Sequence, residues 1–221
     1  MAAELRAVGV NYRRAGRQIL QDVDLHVRAG EVLAVTGPSG SGKSSLLAVL
    51  AGLEPADGAV RLDGDPLRPA DVEERRRFGL VLQGYGLVSV LTASENLEVV
   101  LQSRGLSRDG ARTRAATALA SVGLEGQSDQ LIEELSGGQQ QRVAVARANV
   151  TEPEVLLADE PTAELDAGAR RIVLDLLFAA AARGAIVVLA THDPEVGDAC
   201  DHELRLVGGR AAATSEAPAP S

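Results

Sequence analysis

Glu31-Val32-Leu33-Ala34-Val35-Thr36-Gly37-Pro38-Ser39-Gly40-Ser41-Gly42-Lys43-Ser44-Ser45-Leu46-Leu47-Ala48-Val49-Leu50 reads as strand, loop and helix. The run Val32 to Val35 is apolar and rich in β-branched residues, and Ser45 to Leu50 has helix-forming composition. Between them, Gly37, Gly40 and Gly42 remove Cβ atoms from a tight turn, so consecutive N–H groups can point at phosphate oxygens. Lys43 is the single lysine among 22 Lys and Arg residues, a compact point charge placed where a planar guanidinium would not fit. The G-x-x-x-x-G-K-S spacing sets Lys43 to reach β- and γ-phosphates and the Ser44 hydroxyl to ligate Mg²⁺ at a helix amino end. Pro38, Ser39, Ser41 and Ser45 complete the expected nucleotide-binding loop. A glycine turn that merely precedes a helix does not account for the spacing and both flanks together.

Composition sets outer limits. The 221 residues, 45% hydrophobic, suffice for one domain with a full core. The longest apolar candidate, Leu176 to Ala182, stops at Arg183 and falls short of the ~20 residues that cross a bilayer. No basic segment followed by an apolar block opens the chain, so no secretory signal is expected, and a membrane role would come through a partner. One cysteine, Cys200, excludes an internal disulfide and suits a reducing compartment. The net charge of −9 argues against nucleic acid as a partner, and two Phe, two Tyr and no Trp leave few platforms for stacking bases.

A second constellation narrows the class. Leu135-Ser136-Gly137-Gly138-Gln139-Gln140-Gln141-Arg142 places a hydroxyl N-cap and two glycines at the front of a helix running to about Asn149, a second anion-binding terminus. Taken alone, this string equally describes a capped structural helix. Val155-Leu156-Leu157-Ala158-Asp159-Glu160-Pro161-Thr162 is an apolar strand ending in two carboxylates whose side chains point in different directions. Asp159 is expected to hold Mg²⁺ through its water shell and Glu160 to polarise an attacking water. With Gln83 and Thr191-His192-Asp193, these strings occur in an order that resembles the ATP-binding-cassette (ABC) family over roughly residues 5–210.

The resemblance implies a role for each position. Glu160 matches the catalytic base, His192 a contact to the γ-phosphate, and Gln83 the hinge glutamine that touches Mg²⁺ and water and reports on the partner domain. Tyr12 matches the aromatic that stacks on adenine, with ordinary strand packing as the competing account. A polar residue ending a strand is the competing account of Gln83, and a structural histidine that of His192, whose Thr191-His192-Asp193 context favours the functional role. Leu165-Asp166 matches the dimer-facing loop in part, because Ala163-Glu164 replaces the usual Ser-Ala or Asn-Ala. The implied architecture is α/β: a P-loop NTPase core with a parallel sheet, a small antiparallel β subdomain and an α-helical subdomain. Residues 1–210 read as one ATPase domain with the helical subdomain at about 84–150, and 211–221 as a disordered tail.

Segments 5–27 and 58–82 suit the antiparallel sheet, while 92–104 and 107–122 read as helices, with Ser107 as a cap and Gly123 as a stop. The family arrangement separates Ser136 from its own phosphate loop, which implies a head-to-tail homodimer. Ser136, Gly137, Gly138 and Gln139 of one copy would close on ATP held by Lys43 of the other. The segment 83–96 looks most like the lipoprotein-release and macrolide-export branch. That implies an ATPase, peripheral on the cytoplasmic membrane face, driving a separate permease through its helical subdomain and the Gln83 region. An import ATPase and an ABC regulator with mechanotransmitting or soluble duties are the alternatives.

Overall fold

The computed structural model describes residues 3–67, 71–82 and 84–212. The chain opens with a long hairpin, β1 (Glu4–Arg14) and β2 (Arg17–Arg28), closed by Ala15 and Gly16. Both have positive φ, 48° and 78°, as a two-residue turn matched to strand twist requires. β3 (Val32–Thr36) then leads through the glycine loop into α1 (Lys43–Leu50). β4 (Asp57–Leu62) and β5 (Asp65–Pro66) return to the hairpin and give an antiparallel sheet of order β2-β1-β4-β5.

A short α2 (Val72–Arg76) precedes β6 (Phe78–Val81), and then come three helices, α3 (Ala93–Ser103), α4 (Arg108–Ser121) and α5 (Gly137–Asn149). β7 (Val155–Asp159), α6 (Ala167–Ala182), β8 (Ile186–Ala190), α7 (Pro194–Asp198), β9 (His202–Val207) and β10 (Arg210–Ala211) complete the chain. The second sheet has order β10-β9-β3-β8-β7-β6, parallel from β9 to β6. Every residue of β7 and β8 is buried, because helices cover both faces of a parallel sheet. The carboxyl ends of β3, β7 and β8 therefore share one edge, which is where open parallel sheets bind ligands.

Two expectations need correction. Segment 58–82 splits: β4 and β5 join the antiparallel sheet, but Phe78–Val81 pairs in parallel with Val155–Ala158. Gly79 explains the fit, since a Cβ there would lie 2.2 Å from the Ala148 carbonyl oxygen of α5. Ala211 and Ala212, read as the start of a disordered tail, are ordered. Ala211 pairs with Leu206, and the Ala212 N–H donates to the Arg205 carbonyl at 2.7 Å. The rest of that tail, 213–221, and Gln83 lie outside the described residues.

Three clusters make up the core. One lies between the two sheets and α1, and one lies under α6 on the other face of the parallel sheet. The third joins α3, α4 and α5 through Leu97, Leu101, Leu119 and Val143. Thr92 and Ser107 cap α3 and α4, and Ala111 and Ala115 let α4 pack closely. Helix α5 belongs to two of these clusters, with Val143 and Ala146 facing the helices and Ala144, Val145 and Ala148 facing the sheet. Among the described residues no helix is long and apolar enough to cross a membrane.

Candidate active site

The glycine loop has its shape for steric reasons. Gly37 has φ 139°, and a Cβ on it would sit 2.2 Å from the Leu206 carbonyl oxygen, whereas a Cβ on Gly40 would meet nothing within 4 Å. Gly40 thus faces open space and Gly37 is pinned against β9. Helix α1 begins at left-handed Gly42 with no side-chain cap, while every other α-helix among the described residues has one. Its first N–H groups remain available to an anion, and the helix dipole favours one there.

Around this loop lies a cleft of ≈ 650 Å³ lined by Ser39, Gly40, Gly42, Lys43, Ser44 and Ser45, with Asp159, Glu160 and His192 on its far wall. Gly37, Pro38 and Ser41 support the turn without lining the cleft; the buried Ser41 hydroxyl has no hydrogen-bond partner. The Lys43 ammonium is buried and donates to the carbonyls of Gly37 at 2.9 Å and Pro38 at 3.4 Å. Glu160 Oε1 lies 3.9 Å from it.

Adjacent acids at the end of β7 occupy different environments. Asp159 is buried, hydrogen-bonded by Ser44, and its Oδ1 has no hydrogen-bond partner. Burial raises its pKa above the ordinary carboxylate value, and the Glu160 charge adds to the rise, while Ser44 and Lys43 oppose it. Glu160 instead turns toward His192, whose Nδ1 is 2.9 Å from Oε1. An ionised carboxylate only accepts, so this geometry assigns the proton to Nδ1. The Glu160 backbone is left-handed, φ 48°, with its N–H bonded to the Ala190 carbonyl at 2.9 Å. Such a conformation in a non-glycine residue costs of order 1–3 kcal/mol and is held in place by its surroundings.

Tyr12, matched to the adenine-stacking aromatic, packs in the core. Alternation along β1 turns it inward with Val10, leaving it 5% exposed in the core beside Leu20, and it does not line the cleft. Burial, then a hydrogen bond with Glu54, raises the pKa of its phenol. The residues that border the cleft from that side are Arg14, Arg17, Gln18 and Ile19, together with Gly208 and Gly209. A Cβ on Gly209 would lie 2.2 Å from the Ile19 carbonyl oxygen, so the Gly208-Gly209 pair was the available sequence signal for this close approach.

Ser136 caps α5, accepting from the Gln139 N–H at 3.3 Å while the Gln139 side chain accepts from the Ser136 N–H at 2.8 Å. Gly137 and Gly138 lie against Glu164 and Leu165, and Asp166 caps α6 by accepting from the Ala169 N–H. None of Ser136, Gly137, Gly138, Gln139, Leu165 or Asp166 lines the cleft that contains Lys43.

A family model described as ABC transporter matches residues 20–163. The chain is 44% identical to the uncharacterized ABC transporter ATP-binding protein YbbA of Escherichia coli K12 over 87% of each chain. It is 42% identical to the lipoprotein-releasing system ATP-binding protein LolD of Chromohalobacter salexigens, over 87% of this chain and 84% of that one. It is 40% identical to the macrolide export ATP-binding/permease protein MacB 1/2 of Paracoccus denitrificans, over 98% of this chain and 34% of that longer one. The fold superposes on the dimeric bacterial ABC transporter cassette MJ0796 with a TM-score of 0.87 at 33% identity, covering 94% of this chain and 96% of that one. A dimeric post-hydrolysis state of the same cassette, bound to ADP and Pi, gives 0.86.

Proposed function

The chain belongs to the ABC transporter family, as an ATP-hydrolysing subunit of its lipoprotein-release and macrolide-export branch, and from that premise we propose that two copies close head to tail around two ATP molecules to drive a separate membrane permease. The observation that carries this reading is the split site. The cleft supplies Lys43, Asp159 and Glu160, but Ser136 and its helix terminus lie outside it. An isologous pair supplies both halves twice.

Within each site, Lys43 and the uncapped N–H groups of α1 hold the phosphates and offset their charge. Glu160 accepts a proton from the attacking water, and the His192 Nδ1–H keeps the Glu160 carboxylate oriented. Ser136 and Gly138 of the second copy cap the γ-phosphate, so ATP joins the two copies and hydrolysis releases them. The residues fit Mg²⁺: a buried Asp159 Oδ1 without a partner, beside the Ser44 hydroxyl, is a hard oxygen donor set. The ion would neutralise charge developing between β- and γ-phosphates. Gln83 is proposed to join that set.

For the permease contact, exposed apolar side chains gather on the stretch after β6 and on α3. Leu82, Val88, Val90 and Val99 are all solvent-facing, Val90 to 74%. We assign this patch to the permease, place the subunit on the cytoplasmic membrane face, and take export or lipid and lipoprotein extraction as the direction of work. Residues 1–210 would then act as one ATPase unit, with α3 to α5 as its permease-facing arm.

A mixing experiment tests the split site. Lys43→Ala and Ser136→Arg chains are each expected to be inactive, whereas their equal mixture regains about a quarter of parental ATPase activity, because half the dimers carry one intact site. A mixture as inactive as its components would overturn the head-to-tail arrangement.

A further inference from the structure

The loop that follows Glu160 makes a contact that the reaction does not use. Glu164 Oε2 accepts a hydrogen bond from the Tyr85 hydroxyl at 2.6 Å. That oxygen would lie 2.5 Å from a Cβ on Gly137, and the Tyr85 oxygen 3.6 Å from the same point. A Cβ on Gly138 would likewise meet the Glu164 carbonyl at 3.1 Å. A carboxylate therefore lies beside Gly137 at the amino end of α5, the end whose dipole favours an anion.

Tyr85 is itself tied to the same helix. Arg147, ten positions beyond Gly137 on α5, donates to the carbonyls of Tyr85 at 3.1 Å and of Gly86. Tyr85 adopts a left-handed backbone, φ 63°, within this loop. Burial, and then the Glu164 contact, push its phenol up to about 12, so it stays a donor at neutral pH. The result is a closed circuit: α5 holds Tyr85 through Arg147, Tyr85 holds Glu164, and Glu164 returns to the front of α5.

We propose that Tyr85 and Glu164 form a clasp that keeps the Glu164 carboxylate at the amino end of α5, where it competes with the γ-phosphate brought by the second copy. The clasp sets how much ATP is needed to close the dimer and links closure to movement of the segment after Gln83. It rests on the head-to-tail reading. Tyr85 and Glu164 are positioning residues; neither acts on the reacting atoms.

The test uses the full chain carrying Glu160→Gln, which slows hydrolysis, with dimer formation followed by light scattering against Mg²⁺-ATP concentration. Adding Tyr85→Phe or Glu164→Gln is expected to lower the half-point about two- to fivefold, the size of an anion's interaction with a helix amino end. The double variant should fall no further than the stronger single one, since both act on one contact. In the Glu160-containing chain the same changes should lower KM for ATP, an improvement that loss of a merely structural bond does not produce. A dimer whose half-point is unchanged or raised overturns the clasp alone. Absence of any dimer in the parent Glu160→Gln chain overturns the head-to-tail reading and the clasp with it.

Discussion

Replacing Glu160 by Gln separates chemistry from binding at this site. Gln preserves the length of the side chain and keeps an oxygen that can accept the His192 Nδ1–H, now at 2.9 Å from Oε1. What disappears is the charge. The ion pair with Lys43, at 3.9 Å, is lost with it, while the buried ammonium keeps its bonds to the Gly37 and Pro38 carbonyls. Asp159 loses one of the influences that raise its pKa, which favours its ionised form. The proton abstraction proposed for Glu160 would be lost, and positioned general bases contribute about 10²–10⁴ in rate. At about 1.4 kcal/mol per tenfold, this corresponds to about 3–5 kcal/mol of transition-state stabilisation. Phosphate release measured under single-turnover conditions should slow by that factor while ATP binding persists. Light scattering with Mg²⁺-ATP should report a species of twice 22.9 kDa. A variant that hydrolyses within about tenfold of the parent, or binds ATP yet remains monomeric, would refute the role assigned to Glu160.

One substitution and one labelling outcome follow from buried groups. Because burial raises the folded-state pKa of Asp159 above its ordinary 3.8, the folded chain holds that proton more tightly than the unfolded one. The resulting stability is fully present below that ordinary value and lost as pH rises through the raised one. Asp159→Asn should therefore have a higher Tm than the parent at pH 7 and little advantage near pH 4, at the expense of ATPase activity; a lower Tm at pH 7 would contradict this account. Cys200 is half-buried and its thiol is pushed up to about 11, by burial and then by the Asp201 charge. At pH 8 only about one molecule in 10³ carries the reactive thiolate, so a disulfide reagent should label the native chain about 10²-fold more slowly than the denatured one. Equal rates would show that Cys200 is accessible and ordinary.

The readable parts of this chain were those whose physics is local. Val32 to Leu50 declares strand, turn and helix through composition and glycine spacing alone, and Ser107 and Ser136 mark helix starts by caps that act within three residues. Phe78 to Val81 was harder. Four apolar residues have no period from which to read a partner, and the parallel partner Val155 lies far along the sequence. The sequence context of Tyr12 says where the strand ends but not which face its ring takes; β1 shifts register between Val10, Tyr12 and Arg13. The left-handed backbone of Glu160 has no composition signal, since Asp159-Glu160-Pro161 suggests only an extended residue before proline. Nor does any spacing bring Tyr85 to Glu164, which meet only because α5 gathers both loops on one side.

Helix α5, packed into two cores at once, also has a mechanical meaning. Its 13 residues make a rod about 20 Å long, so a tilt of about 10° about its far end displaces the Ser136 end by about 3.4 Å. That displacement exceeds the length of a hydrogen bond, whereas the side chains near the fulcrum shift by only a fraction of it. The helix is thus a single long arm, anchored where Ala148 packs on the sheet and free to swing at Ser136. In the proposed head-to-tail dimer, small adjustments of packing beside β6 and β7 would thus be magnified at the Ser136 end, where the second copy's nucleotide would be held.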